Sequence, residues 1–385
     1  MKNLKTVVYK KETTFGEAYD PAATGYQVID ASEITVNRVT DPIKTKKLNV
    51  EKELAEKTTS GRVTGKMSLT KPFDASFYHD HLDLTQTGLG KLVQDYDDNA
   101  DGLISAVGGT TDLTITDGAF VVPGDLVGIS GRKGSYNIVK EVNSQVVTLK
   151  YPMSAVTLAT IVTGTDTLVL LPKINPAKLV KNTFKFICIY DDDSVEVLTG
   201  ATVAMSTELP KKGKMDIKME IISATIASHD ALDVALVKPT SDLVIEPEYP
   251  TFYVDFKQTY VYDSVTTADK KVCPYMVGLK IEHSIKVEES VCGINGISGY
   301  YIIPNIPAAQ FDISKKPEHA LTFSTKNEDN DNQFLFMSQE NLAIYVEKAR
   351  FTGIDLAYTE DFDNFKLMVD VNHRAYFDLL LALPY

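Results

Sequence analysis

The chain has 385 residues, of which 44% are hydrophobic and 24% charged, and this balance excludes a mainly disordered protein. Its formal net charge of -13 argues against a nucleic-acid-binding protein, because such proteins draw most of their affinity from Lys and Arg. The three cysteines form no CxxC pair, and no run resembles a signal peptide or a membrane span, so we expect folding in a reducing cytoplasm.

The first 25 residues are predicted to form an N-terminal arm. They are polar and of mixed charge, and Pro21 and Gly25 interrupt regular structure. Because terminal segments of this kind are ordered only when something ties them down, we expect residues 1–25 to need a partner.

A strand, a long polar segment and a second strand follow. Ile34 and Val36 lie on one side of the first strand. Residues on one side of the second strand alternate with polar neighbours: Val63, Gly65, Met67 and Leu69. The segment 40–60 between the strands is too long for an ordinary hairpin turn, so it is predicted to be functional or disordered.

A short helix is predicted after Pro72, with Asp74 as its N-cap and with Phe77, Leu82 and Leu84 on its apolar side. From residue 103 to residue 172, short β-rich pieces separated by glycines indicate a small all-β domain, SH3-like or Ig-like, inserted into the chain.

Strands resume after this insert. Met215, Ile217 and Met219 alternate with charged residues, which predicts a sheet with one solvated face. Residues 231–250 contain three prolines and are the predicted linker, while 251–385 are again rich in β-forming residues.

The chain also contains an internal repeat. Ile34 matches Leu279 at an offset of 245 residues, and Pro72 matches Pro317 at the same offset. Such agreement at two separated places is harder to obtain by chance than either match alone.

Further along, Val203 matches Ile354 at an offset of 151. The two offsets differ by 94 residues, and these extra residues of the first half correspond to the insert. The sequence therefore predicts a first module over 26–102 and 173–230 and a second module over 251–385. The alternative is that two amphipathic sheets resemble each other by chance.

Four stretches of the chain together resemble the tail tube (major tail) proteins of long-tailed bacteriophages. They are FGEAYDPAATGYQVIDASEITVN, SGRVTGKMSL, PGDLVGISGRKGSYNIVKEVNSQVVTL and YVEKARFTGIDL. In that family a strand like Val63-Thr64-Gly65 follows the loop of the first module, and an insert of this kind is common. The resemblance implies a mainly β fold of two tandem tail-tube-type modules, each a β-sandwich or half-barrel with short helices, the first interrupted by the small insert.

The resemblance further implies a structural virion protein that assembles into stacked rings around a channel for genome passage. Closing a ring of sheets removes their open edges. If each chain contributes two modules, a ring of six modules contains three chains. If the chain contains no repeat, six chains form the ring. The implied partners are further copies of the chain, the tape measure protein and the tail terminator and tip proteins. DNA passes only transiently through the lumen, where an acidic wall would repel it.

The same resemblance implies that two segments reach the next ring in the virion tail, after synthesis in the host bacterial cytoplasm. The stacking loop has the following candidate residues: Thr40, Asp41, Lys44, Lys46, Lys47, Glu51, Lys52, Glu53, Glu56 and Lys57. The N-terminal arm contributes Lys5, Tyr9 and Phe15. The alternative function is a capsid or tail decoration protein or an adhesin that binds the host surface. The insert then binds host glycans, whereas in a tube it serves to stiffen the wall.

Two clusters are candidate metal sites. Asp97, Asn99 and Asp101 match the first positions of a calcium-binding loop, but the final position is Gly108, and the alternative is an Asp-rich turn. His79 and His81 would diverge on the predicted helix. No nucleophile elbow, phosphate loop or zincin motif is present in the sequence, so we expect no enzyme activity, cofactor or metal.

Overall fold

The computed structural model describes residues 3–40, 43–48, 54–59, 63–72, 77, 80–153, 155–175, 178, 180–209, 216–229 and 231–238, and beyond residue 250 the strands given next. The strands up to residue 229 are β1 (Leu4–Lys11), β2 (Gln27–Ile29), β3 (Glu33–Thr40), β4 (Ile43–Leu48), β5 (Leu54–Thr59), β6 (Val63–Pro72), β7 (Lys91–Gln94), β8 (Ile104–Gly108), β9 (Asp112–Ile115), β10 (Leu126–Ile129), β11 (Arg132–Asn143), β12 (Val146–Leu149), β13 (Leu168–Leu170), β14 (Lys173–Asn175), β15 (Phe184–Tyr190), β16 (Val195–Leu209) and β17 (Asp216–His229). The later strands are β18 (Thr251–Phe256), β19 (Tyr260–Tyr262), β20 (Pro274–Ile281), β21 (His283–Glu289), β22 (Ile297–Pro304), β23 (Ala308–Ser314), β24 (Asn332–Met337), β25 (Leu342–Tyr358), β26 (Asp363–Val371) and β27 (Phe377–Leu381). The helices are α1 (Leu82–Gly88) and α2 (Ala155–Thr160).

The protein is mainly β, as the sequence predicts. Among the described residues, no helix has the length and apolar character needed to cross a bilayer.

The first half of the chain forms a curled antiparallel sheet. Its strands pair in the order β2-β1-β15-β16-β17-β6-β3. The long β16–β17 ladder is its centre, and it runs from Val195 opposite His229 to Glu208 opposite Asp216. Both faces of β15 are buried, so its residues are apolar nearly without interruption, as is typical of a central strand.

The second half repeats this order of pairing. Its strands pair antiparallel as β19-β18-β24-β25-β26-β23-β20. The two series join where the end of β16 extends past β15 and pairs with β20: Thr207 lies opposite Ile281, and Leu209 lies opposite Leu279. The last strand, β27, pairs with both β25 and β14.

The registers of the two series can be compared residue by residue. If Gly65 is aligned with Ala309, the ladders align Val203 with Ile354, an offset of 151 residues. They align Arg38 with Leu279, an offset of 241 rather than the 245 expected from sequence. The sequences of short alternating strands match one another at several offsets. The hydrogen-bonded register, rather than the sequence match, therefore gives the offset between β3 and β20.

The inserted segment has a sheet and a core of its own. Its strands pair in the order β13-β10-β11-β12-β9-β8. Leu103 bridges Thr167, so the beginning and the end of the segment meet. The core contains these buried residues: Ile104, Leu113, Ile115, Val121, Val127, Ile129, Val139, Val147, Leu149, Met153 and Leu168.

Three expectations from the sequence need correction. Residues 4–11 are not a loose arm, because β1 pairs with β15 on one side and β2 on the other. The segment 40–60 is not an irregular loop, since β4 and β5 pair as a hairpin. Part of the predicted linker packs on the first sheet, where Leu232, Val234 and Leu236 lie against its core.

Candidate functional site

One face of the first sheet is open to solvent along β3, β6 and the first part of β17, as far as Glu220, and we call it the open face. In β17, exposed Lys218 and Glu220 alternate with buried residues. The ladders place three cross-strand rows on this face: Glu33 with Thr70 and Lys218, Thr35 with Ser68 and Glu220, and Asn37 with Lys66 and Ile222. These rows contain two lysines and two glutamates, so their formal charges balance. The acidic excess expected of a channel wall does not lie in these rows.

The opposite face is covered by α1, which packs on β16. Leu84 and Leu89 are buried there. The Asn182 side chain donates to the Thr87 hydroxyl at 3.0 Å and so fixes the helix beside the sheet. His81 precedes α1, whereas the predicted N-cap Asp74 lies outside the described residues. The open face lies on the other side of the sheet from this helix, and the β21–β22 hairpin covers that side next to Ile222.

Gly65 makes the closest approach between β6 and β17. Its N–H donates to the Ser223 hydroxyl at 3.0 Å, and that hydroxyl lies 3.2 Å from the Gly65 carbonyl. A Cβ at Gly65 would lie 2.6 Å from Ser223 Oγ, too close for any side chain. Ser223 occupies an apolar position in the alternation of β17, and this is the sequence signal that marks the contact.

Arg38 ties the outer strand of the sheet to its centre. The Arg38 guanidinium donates to Glu196 and to the Ser228 hydroxyl, each at 2.8 Å. Tyr190 donates to the other Glu196 oxygen at 2.8 Å. Because Glu196 is on β16, three strands away from β3 in the pairing order, this network holds the sheet in its curled form.

Tyr9 and His81 form a buried polar pair between β1 and the start of α1. The Tyr9 hydroxyl lies 2.8 Å from His81 Nδ1. Burial, together with the nearby Lys71 ammonium, lowers the pKa of His81 to about 4. Burial also raises the pKa of the Tyr9 phenol. His81 is therefore neutral at pH 7, and its Nδ1 shares a hydrogen bond with the phenol.

A buried carboxylate fixes the segment after β1. Glu12 accepts from the Gly200 N–H at 2.8 Å and from the Gly16 N–H at 3.1 Å. Burial raises the pKa of Glu12, while those two backbone donors and Lys185 oppose the rise. Lys185 also donates to the Ala18 carbonyl at 2.7 Å. Of the predicted arm residues, Lys5 and Tyr9 thus belong to β1, and Phe15 lies in a segment fixed to this sheet.

The predicted stacking residues fall on the β4–β5 hairpin or at its base. Thr40 is the last residue of β3. The hairpin register pairs Lys46 with Glu56, placing opposite charges across the strands, and pairs Thr45 with Lys57. Lys44 and Lys47 also lie in β4. Four predicted stacking residues lie outside the described residues: Asp41, Glu51, Lys52 and Glu53.

The corresponding hairpin of the second half, β21–β22, packs on the first half of the same chain. Ile297 and Tyr300 form a buried cluster with Ala224 of β17. The Phe15 ring lies 5.9 Å from the Tyr300 ring, and the Lys181 ammonium lies 4.4 Å from the Tyr301 ring. The first hairpin lacks this set of aromatic and branched side chains, so the two hairpins differ in chemistry although they occupy equivalent places.

The predicted metal residues are engaged in local hydrogen bonds. Asn99 accepts from the Asp101 N–H at 2.8 Å and donates to Asp97 at 3.2 Å. His79 lies outside the described residues. Within the described part of the chain, no group of three His, Cys, Asp or Glu residues is arranged to hold a metal ion. Burial raises the pKa of Cys188 to about 12, so its thiol stays protonated.

No protein-family model matches this chain, and no curated protein matches its sequence.

Proposed function

We propose that this chain is a structural virion protein that self-assembles into stacked rings and forms the tail tube of a long-tailed bacteriophage. The supporting observation is the repeated order of strand pairing in the two halves, which join where the end of β16 pairs with β20. A chain that already joins two equivalent sheets in this way can add further copies by the same kind of contact.

The edges of the sheet support assembly rather than a monomer. β3 is eight residues long, and within the described residues it pairs with β6 alone. An exposed strand of this length is a template for another strand unless it is covered or charged. A ring of such sheets would pair every edge and remove this liability.

The open face is suited to a wall along which DNA slides. It carries small hydroxyl and amide side chains, such as Thr35, Ser68 and Asn37, with lysines and glutamates in equal number. Phosphate binding strengthens with the number of cationic contacts, and a charge-balanced wall therefore holds a passing duplex weakly.

The β4–β5 hairpin is the proposed contact to the next ring. Its register places Lys46 opposite Glu56, and a hairpin with so many charged residues needs no apolar surface to cover it. The other partners of this proposal are the tape measure protein and the terminator and tip proteins, in the tail of the virion.

Negative-stain micrographs of the purified full chain test this function. Rings with a central channel, or stacks of such rings, are the expected result. A protein that remains monomeric at high concentration by light scattering would contradict it.

The independent core of the insert favours a second candidate, a decoration protein or adhesin of tandem β-domains. Val122 and Val162 of that domain are exposed to solvent. Binding of the full chain to host-surface glycans, without ring formation, would favour this candidate over the tube.

A further inference from the structure

The junction between the two halves is a short antiparallel ladder at the end of a long strand. The last residues of β16 extend beyond the part of that strand that pairs with β15, which ends at Ala201. There Thr207 pairs with Ile281 at the end of β20. In the repeat, β20 is the equivalent of β3, and β16 is the equivalent of β25.

The chain contains a second pair of strands, β25 and β3, that are equivalent to the two strands of this junction. Among the described residues, β3 pairs on one side alone. The last part of β25 pairs with β26, while β24 pairs with β25 only as far as Ala349. The C-terminal end of β25 is therefore equivalent to the end of β16, and β3 is equivalent to β20.

We infer that the end of β25 in one copy of the chain pairs antiparallel with the end of β3 in the next copy, in the register of the β16–β20 junction. The offsets of 151 and 241 residues place Tyr358 at the position of Thr207 and Thr40 at the position of Ile281. Tyr358 of one copy is thus the cross-strand partner of Thr40 of another. This inference rests on the proposed ring assembly and adds the strands and the register that close the ring.

The occupant of the β3 edge is a second copy because the contact continues a junction that the chain already makes with itself. The two surfaces differ, so the contact is head-to-tail, and a head-to-tail contact gives a closed ring or an open filament. With two modules in each chain, closure after three copies gives a ring of six modules.

Disulfide trapping of the double variant Thr40→Cys with Tyr358→Cys tests the register. Residues directly opposite in an antiparallel ladder have Cα atoms about 4.5–5.5 Å apart, within the range that a disulfide bridges. We expect covalent dimers and trimers on non-reducing gels after mild oxidation, with trimer as the largest species. The two single variants and the unaltered chain control for the native cysteines.

The variant Thr207→Cys with Ile281→Cys is the matched control, because it places the same pair inside one chain. It should form a disulfide within the monomer, and its failure to do so would overturn the inference by removing its template. Hydrogen exchange provides a second measurement, in which amides of residues 37–40 should exchange at least about tenfold more slowly in rings than in monomers.

Failure of the inference is distinguishable from failure of the proposed function. If the unaltered chain forms rings but the Thr40 and Tyr358 cysteines do not cross-link between copies, the register is wrong and the tube function stands. If the chain forms no rings in micrographs and no interchain disulfide, both are overturned.

Discussion

At the scale of single residues, two buried contacts determine how the first sheet meets its covering helix and its neighbouring strands. Tyr9 and His81 are 72 positions apart in sequence, and Gly65 and Ser223 are 158 apart. The sequence marks Gly65 as part of an alternating strand, but neither partner is predictable from local pattern, because each depends on which strands become neighbours in the sheet.

His81 makes the stability of the protein depend on pH. Its pKa is about 4 in the folded chain and near 6.5 when unfolded, so the unfolded state binds more protons between these values. The contribution of His81 to the free energy of unfolding is complete above pH 6.5 and is lost as the pH falls toward 4. The loss is on the order of 3 kcal/mol. The variant His81→Gln retains a hydrogen-bonding side chain beside Tyr9. Between pH 7 and pH 4 its free energy of unfolding, measured in urea, should fall by about 3 kcal/mol less than that of the parent chain.

Comparing the parent chain with His81→Gln isolates the contribution of His81, because Glu12 and the other acidic groups are present in both. Glu12 contributes in the opposite direction, since its raised pKa means that the folded state gains protons as pH falls. Equal losses of stability in the parent and in His81→Gln would contradict the role given to the histidine.

Gly65 is expected to tolerate no side chain. In Gly65→Ala the new Cβ would lie 2.6 Å from Ser223 Oγ and 3.0 Å from Leu198 Cδ2, so the free energy of unfolding should fall by about 1–3 kcal/mol. Adding Ser223→Gly should restore part of that loss. The matched control is Gly299→Ala in β22, where the nearest atom to a Cβ would be Glu288 Oε2 at 3.7 Å. Similar effects of the two alanines on thermal unfolding would argue against the close approach.

At the scale of elements, the strands with one buried face are predictable and the others are not. β6 and β17 alternate strictly, and the structure has strands there. β4 and β5 carry lysines and glutamates among few apolar residues, so no period identifies them as strands. The sequence predicts β1 as part of an arm because the apolar run at its centre is short, whereas its pairing with β15 depends on residues far along the chain.

Replacing residues 41–59 with a short Gly-rich turn should separate ring formation from stacking. The β3–β6 ladder ends with Thr40 opposite Val63, so the two strands remain close enough to be joined after the hairpin is removed. We expect a folded chain that still forms single rings but not long tubes in micrographs. Tubes of normal length would remove the role proposed for the hairpin.

At the scale of the whole molecule, the insert should be removable. Asp97 and Leu170 bridge each other where the chain enters and leaves it, so residues 98–169 can be replaced by a short linker. Because the insert has its own core, the remaining sheet loses few contacts, and ring formation should persist in light scattering and micrographs. Loss of rings in a variant with an unchanged circular dichroism spectrum would show instead that the insert takes part in assembly.

The pairing of β1 with β15 also determines the order in which the chain can fold. Val7 lies opposite Cys188, so the N-terminal strand remains without this partner until nearly half the chain has been synthesised. The hairpins of the insert join strands adjacent in sequence, such as β8 with β9, and they can form during that interval. Contacts across long sequence separations are slow to form, since loop closure precedes any gain from them. The insert therefore folds first, and the sheet assembles around a domain that is already complete.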